Sequence, residues 1–578
     1  MAALTENTPT VLITVPKRFI SEQQPRLPFA FALRSLAHRG YNLEDFRADL
    51  GAGATLGVVA LPLSMALAIA SGAPPQHGLF TAIIGGIVIA LAGGSMHSIS
   101  GPTAAFVILL APITATYGLS GLMMASLMAG VVLILMGLLR LGRLIQFIPY
   151  PVTTGFTAGI AVVIAILQLG DLIGIGSLQG EHIWDRLTDL FTRAGSARGA
   201  DIAVAVVTLV TMIGFPRLTR RIPAPLVALV VAAGVGYALT VAGYQVATID
   251  TRFGGIPAVP PIPVLPWTVD GGVTWPLLVA LAPSALAIAV LGAIESLMCA
   301  VVSDGMTGSR HHPDSELVGL GIGNLVVPFF GGFAATGAIA RTATGIRAGG
   351  RTPIASIIHA LFLLAAMLAL APLLGFVPMA AMAGLLLVVA WNMSDARHFG
   401  RMLRVAPRSD ATVLLVCFAL TVVFDMVVAV AVGVVLAAFL FMRRMVEISG
   451  ARLVGGKDGH MVEGLPPGVI YYEIAGPLFF GAAEKALSAL SIVESGVHTL
   501  IISFEDVPAI DVTGMVALES MIARLNRQDI KVVLTKLNAQ PRRVIERAGF
   551  EDSPGKLEIT EELSDTIDRV IGTLGPRP

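Results

Sequence analysis

Charge is scarce in this sequence. Asp, Glu, Lys and Arg make up 13% of the 578 residues, 55% are hydrophobic, and the mean hydropathy is +0.81. Soluble domains carry about 25% charged residues, so the scarcity excludes an ordinary soluble enzyme. Cysteine is nearly missing as well. Cys299 and Cys417 fall in or beside apolar segments, which excludes a disulfide framework, and no Cys/His set has zinc-ligand spacing. The nearest candidate for a metal, His311-His312, reads as a solvated loop pair. A GxxxxGK[ST] phosphate loop and a G-x-S-x-G elbow are both absent, so neither ATP hydrolysis nor hydrolase chemistry is indicated. Residues 1–46 mix charge and proline without a compact apolar core, and are read as an N-terminal segment rather than a signal peptide.

What the chain has instead is apolar length. About fourteen apolar segments recur, some too short to span a membrane alone. They begin near Ala52, Leu79, Pro102, Leu119, Val152, Ile202, Leu226, Pro276, Leu317, Ala338, Ile354, Pro378, Ala411 and Met426. A polytopic α-helical membrane protein follows. With the N-terminus inside, Arg140, Arg143, Arg217, Arg220, Arg221, Arg310, Arg347, Arg351, Arg397, Arg401, Arg404, Arg408, Arg443 and Arg444 fall on the inner side. Only Arg186, Arg193, Arg198 and Arg252 fall outside, an asymmetry that places both termini in the cytoplasm. Asp171 and Asp425 sit at predicted segment ends and read as interfacial.

The division expected is a cytoplasmic segment 1–46, a transmembrane domain 47–445, a linker 446–467 and a cytoplasmic α/β domain 468–578. In the last, "VIYYEIAG", "HTLIISFED" and "KVVLTKL" read as strands, with 514-GMVALESMIARLN-526 and "QPRRVIERAG" as helices.

The membrane part repeats itself. The first segment carries 62-PLSMALAIA-70 and the eighth 283-PSALAIA-289; 88-VIALAGG-94 leads to Gly101-Pro102-Thr103, and 326-VVPFFGG-332 leads to Gly337-Ala338. An odd number of segments per copy, seven plus seven, inverts the second copy relative to the first, the ground plan of many secondary transporters. The third segment, about 102–113, and the tenth, about 338–347, are each only about 15–18 Å long as helices, roughly half a membrane. Two half-helices entering from opposite sides would face each other with their N-termini near the midplane. Free N–H groups and positive dipole ends favour an anion there. The small residues Thr103, Ala104, Ala105, Gly337, Ala338 and Ala340, with Ile339, let a ligand approach the backbone.

Two charges lie at that depth. Arg341 is read as a fixed positive charge for a carboxylate or sulfate, the alternative being a packing role with a nearby acid. Glu295, in 291-LGAIESLMCA-300, is read as a carboxyl that binds and releases a proton during transport. Its alternative is a structural salt bridge to Arg341.

The stretches 61-LPLSMALAIASG-72, 100-SGPTAAF-106, 291-LGAIESLMCAVVSDGMTG-308, 315-SELVGLGIGN-324 and 335-ATGAIARTA-343 resemble the sulfate permease, or solute-carrier-26, group of anion transporters. The C-terminal part resembles the STAS module of that group. Within it, "LGAIESL", "AWNMS" and "GPLFF" look closest to bacterial C4-dicarboxylate transporters. The resemblance implies a UraA-like core domain moving against a gate domain, a homodimer in the inner membrane, and a substrate site between the third and tenth helices. That site would include Ser64, Thr103 to Ala105, Glu295 and Ala338 to Arg341. Many members have Gln where this chain has Leu63. Sodium-coupled relatives have oxygen ligands where Glu295, Cys299 and Ile339 stand, so a proton is the expected coupling ion and sodium is not. The STAS signature appears as 511-DVTG-514; Thr513 is either a phosphoacceptor or simply part of a helix N-terminus.

The function expected is proton-coupled uptake of succinate, fumarate or aspartate, not an enzyme activity. A sulfate or bicarbonate carrier, an anion channel or exchanger and a membrane-anchored sensor are the alternatives. No cofactor and no nucleic acid is expected; the lipid bilayer and a cytoplasmic partner of the STAS domain are.

Overall fold

A computed structural model describes residues 29–561, apart from 144–147, 181–182, 220–221, 272–273, 425, 449, 455–467, 480–482, 485–486 and 488–495. Asp425, Arg220 and Arg221 therefore lie outside the described residues. The chain forms two compact units that divide between Val434 and Val435.

The larger unit is helical. α1 (Phe31–Arg39) and α2 (Leu43–Ala70) precede α3 (Pro75–Phe80), which continues through one wide π turn into α4 (Gly86–Ala92). The two-residue strand β1 (Ser100–Gly101) leads into α5 (Ala104–Leu138). Next come α6 (Tyr150–Leu172), α7 (Ile183–Arg193), α8 (Gly199–Leu218), α9 (Ala224–Val241) and α10 (Ile249–Phe253). The second half runs α11 (Trp275–Thr307), α12 (Pro313–Val326), β2 (Thr336–Gly337), α13 (Ile339–Arg347) and α14 (Ile354–Leu374). It closes with α15 (Met379–Ser394), α16 (Ala396–Val405), α17 (Arg408–Val423) and α18 (Met426–Ile448).

Each expected apolar segment coincides with a helix or, at α5, with one leg of a broken one. Gly118 has φ 68° inside α5 and divides it in two. Among the described residues ten helices are long and apolar enough to cross a membrane. α2 starts well before Ala52: Asn42 accepts from the Asp45 N–H (2.8 Å), and Glu44 and Asp45 suit the positive end of the helix. The stretch before it is tied down too, since Ala30 N–H donates to the Ala92 carbonyl at the end of α4 (2.8 Å).

The helices pack in two groups. In one, α5 lies on α11 and α12, and α2 on α14; in the other, α6 lies on α15 and α17, and α8 on α9 and α15. Glycines set the close approaches: a Cβ on Gly130 of α5 would sit 2.7 Å from the Leu325 nitrogen of α12, and one on Gly155 of α6 2.6 Å from the Leu414 carbonyl of α17.

The smaller unit is a five-stranded sheet, β3 (Gly450–Val454), β4 (Val469–Ala475), β5 (Thr499–Asp506), β6 (Lys531–Thr535) and β7 (Leu557–Thr560), in that spatial order. β4 to β7 are parallel and β3 is antiparallel to β4. α19 (Val512–Asn526) and α20 (Ala539–Arg547) supply the crossovers, with Leu518, Met521 and Leu525 in a core with Leu500, Ile502 and Phe504. Two strands were not foreseen: β3 falls inside the expected 446–467 linker, and β7 is only four residues long.

Candidate functional site

β1 and β2 pair antiparallel, Ser100 opposite Gly337 and Gly101 opposite Thr336. The pairing extends by the Ala338 N–H donating to the Ile99 carbonyl (2.9 Å). Each strand runs straight into a helix, α5 after β1 and α13 after β2, so the antiparallel register brings two helix N-termini to one place. The N-cap residues Thr103 and Ala338 are both extended, and neither makes a side-chain capping bond. The first N–H groups of both helices thus lack the usual side-chain acceptor.

α11 delivers Glu295 to this crossing. The Thr103 hydroxyl donates to Glu295 Oε2 (3.0 Å), and both residues are half-buried. Ala104 and Ala105 are buried behind them, while Ile339 and Ala340 are exposed. Of the nominated residues, the structure therefore gathers Thr103, Ala104, Ala105, Gly337 to Ala340 and Glu295 around the crossing.

Arg341 lies at the crossing but behind it. It is 4% exposed, and its Nη2 donates to the Pro102 carbonyl at 2.5 Å. Nε and Nη1 have no hydrogen-bond partner. Among the described residues no ion pair joins Arg341 to Glu295 within 4.0 Å, so the salt-bridge alternative is not what the geometry shows. Gly101 makes room for the guanidinium, since a Cβ there would lie 2.7 Å from Arg341 Nη1. The guanidinium is thus buried with one neutral hydrogen-bond acceptor and, among the described residues, no ion pair. Ser64 is different. It is 1% exposed, its hydroxyl has no partner, and no hydrogen bond links it to the crossing.

Several residues that hold the crossing were not singled out for it. Thr342 Oγ1 accepts from the Ile99 N–H (2.9 Å) and from Cys299 Sγ (3.1 Å), tying α13 to the β1 approach and to α11. Glu316 is a buried carboxylate without a cation. Its Oε2 accepts from the Gly94 and Ser95 N–H groups (2.9 Å each) and its Oε1 from the Ser296 hydroxyl (2.8 Å). Asn324 closes the matching tie in the second half: its side chain donates to the Ala335 carbonyl (2.8 Å) and accepts from the Ala335 N–H (2.8 Å). An acid and an amide beside small residues in 315-SELVGLGIGN-324 were the only signal in the sequence.

Elsewhere the placements are structural. Asp171 pairs with Arg252 (2.6 Å) at the end of α6. The histidine pair is engaged rather than solvated: His311 meets Asp304 (2.7 Å), and His312 accepts the Ser315 N–H (3.1 Å) at the start of α12. Burial holds His312 below the ordinary imidazole range, in keeping with an acceptor nitrogen there. Thr513 is exposed in the first turn of α19, whose cap is Asp511.

Comparison with known proteins decides the lineage. A family model described as the sulfate permease family matches residues 46–417, and one for the STAS domain matches residues 465–568. The chain belongs to the sulfate permease family. It is an anion transporter with a C-terminal STAS domain, not an enzyme. It is 40% identical to the putative sulfate transporter YvdB of Bacillus subtilis over 92% of this chain and 99% of that one. It is 31% identical to the bicarbonate transporter BicA of Picosynechococcus over 88% of this chain and 91% of that one. A solved structure of murine Solute Carrier 26 family member A9 superposes with a TM-score of 0.82 over 93% of this chain and 94% of that one. At 19% identity this shows the shared fold.

Proposed function

We propose that the chain is a secondary carrier that takes up C4-dicarboxylates such as succinate, fumarate or aspartate together with a proton, by movement of the α5–α11–α12 group against the α6–α15–α17 group. The observation that carries this reading is Glu295 bonded to Thr103 at the meeting point of two uncapped helix starts. An anion seated there takes hydrogen bonds from backbone N–H groups of α5 and α13, and its charge offsets that of Arg341. Ionised Glu295 opposes it. At an effective dielectric of about 20, two negative charges about 6 Å apart repel by about 3 kcal/mol, on the order of 100-fold in affinity. Protonated Glu295 removes that repulsion and still accepts the Thr103 hydroxyl. Anion and proton therefore load together, the thermodynamic requirement for symport. Cys299 and Ile339 offer no hard oxygen ligands for sodium.

The substrate class rests on the likeness of "LGAIESL", "AWNMS" and "GPLFF" to the bacterial C4-dicarboxylic acid transporter DauA. A second reading, sulfate or bicarbonate, is favoured by the names of the relatives at 40% and 31% identity. In the same proposal both termini are cytoplasmic, the protein is a homodimer in a bacterial inner membrane, and the STAS domain, through Thr513 or its exposed surface, meets a cytoplasmic partner. Uptake of labelled succinate, sulfate and bicarbonate into proteoliposomes, with and without an inward proton gradient, tests it. Gradient-driven succinate accumulation is expected. Flux indifferent to the gradient rules out coupling, and accumulation of sulfate or bicarbonate alone moves the substrate to the second reading. Current that reverses independently of pH identifies a channel instead.

A further inference from the structure

Outside the crossing, α16 carries a row of arginines. Arg397, Arg401 and Arg404 are spaced four and three residues apart, which puts them on one face of α16, and Arg408 opens α17 just beyond the extended pair Ala406-Pro407. All four are exposed, and no acidic side chain occurs between 396 and 409. None takes part in an ion pair found among the described residues.

The opposite face is seated. Phe399 packs on Phe418 of α17 (ring centroids 5.4 Å), and His398 Nε2 meets the Tyr150 hydroxyl at the start of α6 (3.0 Å). Met402 and Leu403 are half-buried on the same side. α16 is thus fixed by its apolar face while its guanidinium groups stay free.

Its place in the chain says what lies opposite those groups. Asp395 takes a left-handed conformation (φ 36°, ψ 51°) that breaks the helix between α15 and α16. α16 joins two helices of the membrane unit, so both its ends are held at the level where the chain leaves the hydrocarbon. Trp391, 72% exposed in the last turn of α15, and Tyr150, 58% exposed at the start of α6, mark that level, as amphipathic rings do at a lipid–water boundary. A short helix with one apolar and one arginine face at such a boundary lies in the interface plane.

We propose that α16 is a binding surface for anionic phospholipid, its arginines taking the headgroup phosphates. Guanidinium groups suit this task because their planar donors pair bidentately with phosphate oxygens. Because α16 rests on α6 and α17, a bound headgroup anchors that packing group to the bilayer surface.

The test uses the full-length chain purified in detergent and titrated with phosphatidylglycerol, phosphatidylcholine or inorganic phosphate, with retained lipid read by native mass spectrometry. Wild type is expected to retain phosphatidylglycerol over phosphatidylcholine. R397Q/R401Q/R404Q should lose phosphatidylglycerol affinity by about 100-fold, from the attraction each cation near a charged surface contributes. The control R524Q/R527Q/R543Q, which removes the same charge from the exposed surface of the smaller unit, should bind as wild type. Should the triple variant fail to fold, R401Q alone is expected to lose several-fold. Equal phosphatidylglycerol binding by wild type and the α16 variants, an equal loss in the control, or displacement by millimolar inorganic phosphate as effective as by the lipid would each overturn the proposal.

Discussion

The starts of α13 and α19 make an instructive pair. Both helices follow a β-strand, both carry small residues in the first turn, and both have an extended N-cap. At α19 the cap is Asp511, whose carboxylate accepts the Gly514 N–H at 2.7 Å. At α13 it is Ala338, with no side-chain acceptor, and α5 repeats the omission at Thr103, whose hydroxyl turns to Glu295 instead. One helix start is completed by its own side chain; the other two are left incomplete at a shared point. In a buried setting such incompleteness costs stability unless a ligand supplies the acceptor. The difference between a closed and an open helix start lies in a single side chain.

The comparison can be broken in several places. Glu295→Gln carries the largest expected effect: proton-driven accumulation falls to the equilibrium level while exchange persists, measured as uptake with and without a gradient. Uphill uptake by this variant would remove Glu295 from the coupling. Ala338→Asp gives α13 the cap that α19 has. Its carboxylate competes for the same N–H groups, and anion affinity should fall about 100-fold by charge repulsion. Thermal stability should hold or rise by about 1 kcal/mol, as for an added cap.

Arg341→Ala sharpens the role of the charge behind the crossing. Anion affinity is expected to fall about tenfold, the size of one charge-assisted contribution, with expression retained; an expression defect with normal affinity assigns Arg341 to packing alone. The smallest effect is predicted for Asp511→Ala, which should cost about 1 kcal/mol in unfolding of the C-terminal unit and leave anion affinity unchanged.

The crossing was legible because its cause is local. Glycine, alanine and threonine between apolar runs, and a segment too short to span, are properties of adjacent residues, and α13 begins within a residue of expectation. The first half-helix was placed less well. It was expected to end near Ile113, but Pro112 is accommodated and the break comes at Gly118, whose φ of 68° decides the turn. Contacts across the chain left no trace. Glu316 reads as one more acid until Gly94 and Ser95, more than two hundred positions away, bring their N–H groups to it. Arg341 is legible as a charge at this depth, but its bond to the Pro102 carbonyl, 239 positions away in the chain, is not. β3 was hidden because edge pairing with β4 makes it a strand, rather than a run of alternating apolar residues.

The most direct test is an experimental map of the protein with a heavy-atom substrate analogue, bromosuccinate or selenate, located by its anomalous signal. The account predicts a peak within hydrogen-bonding reach of the backbone N–H groups that open α5 and α13, beside Glu295. A peak elsewhere, with those two helix starts closed on each other or capped by protein, would contradict it.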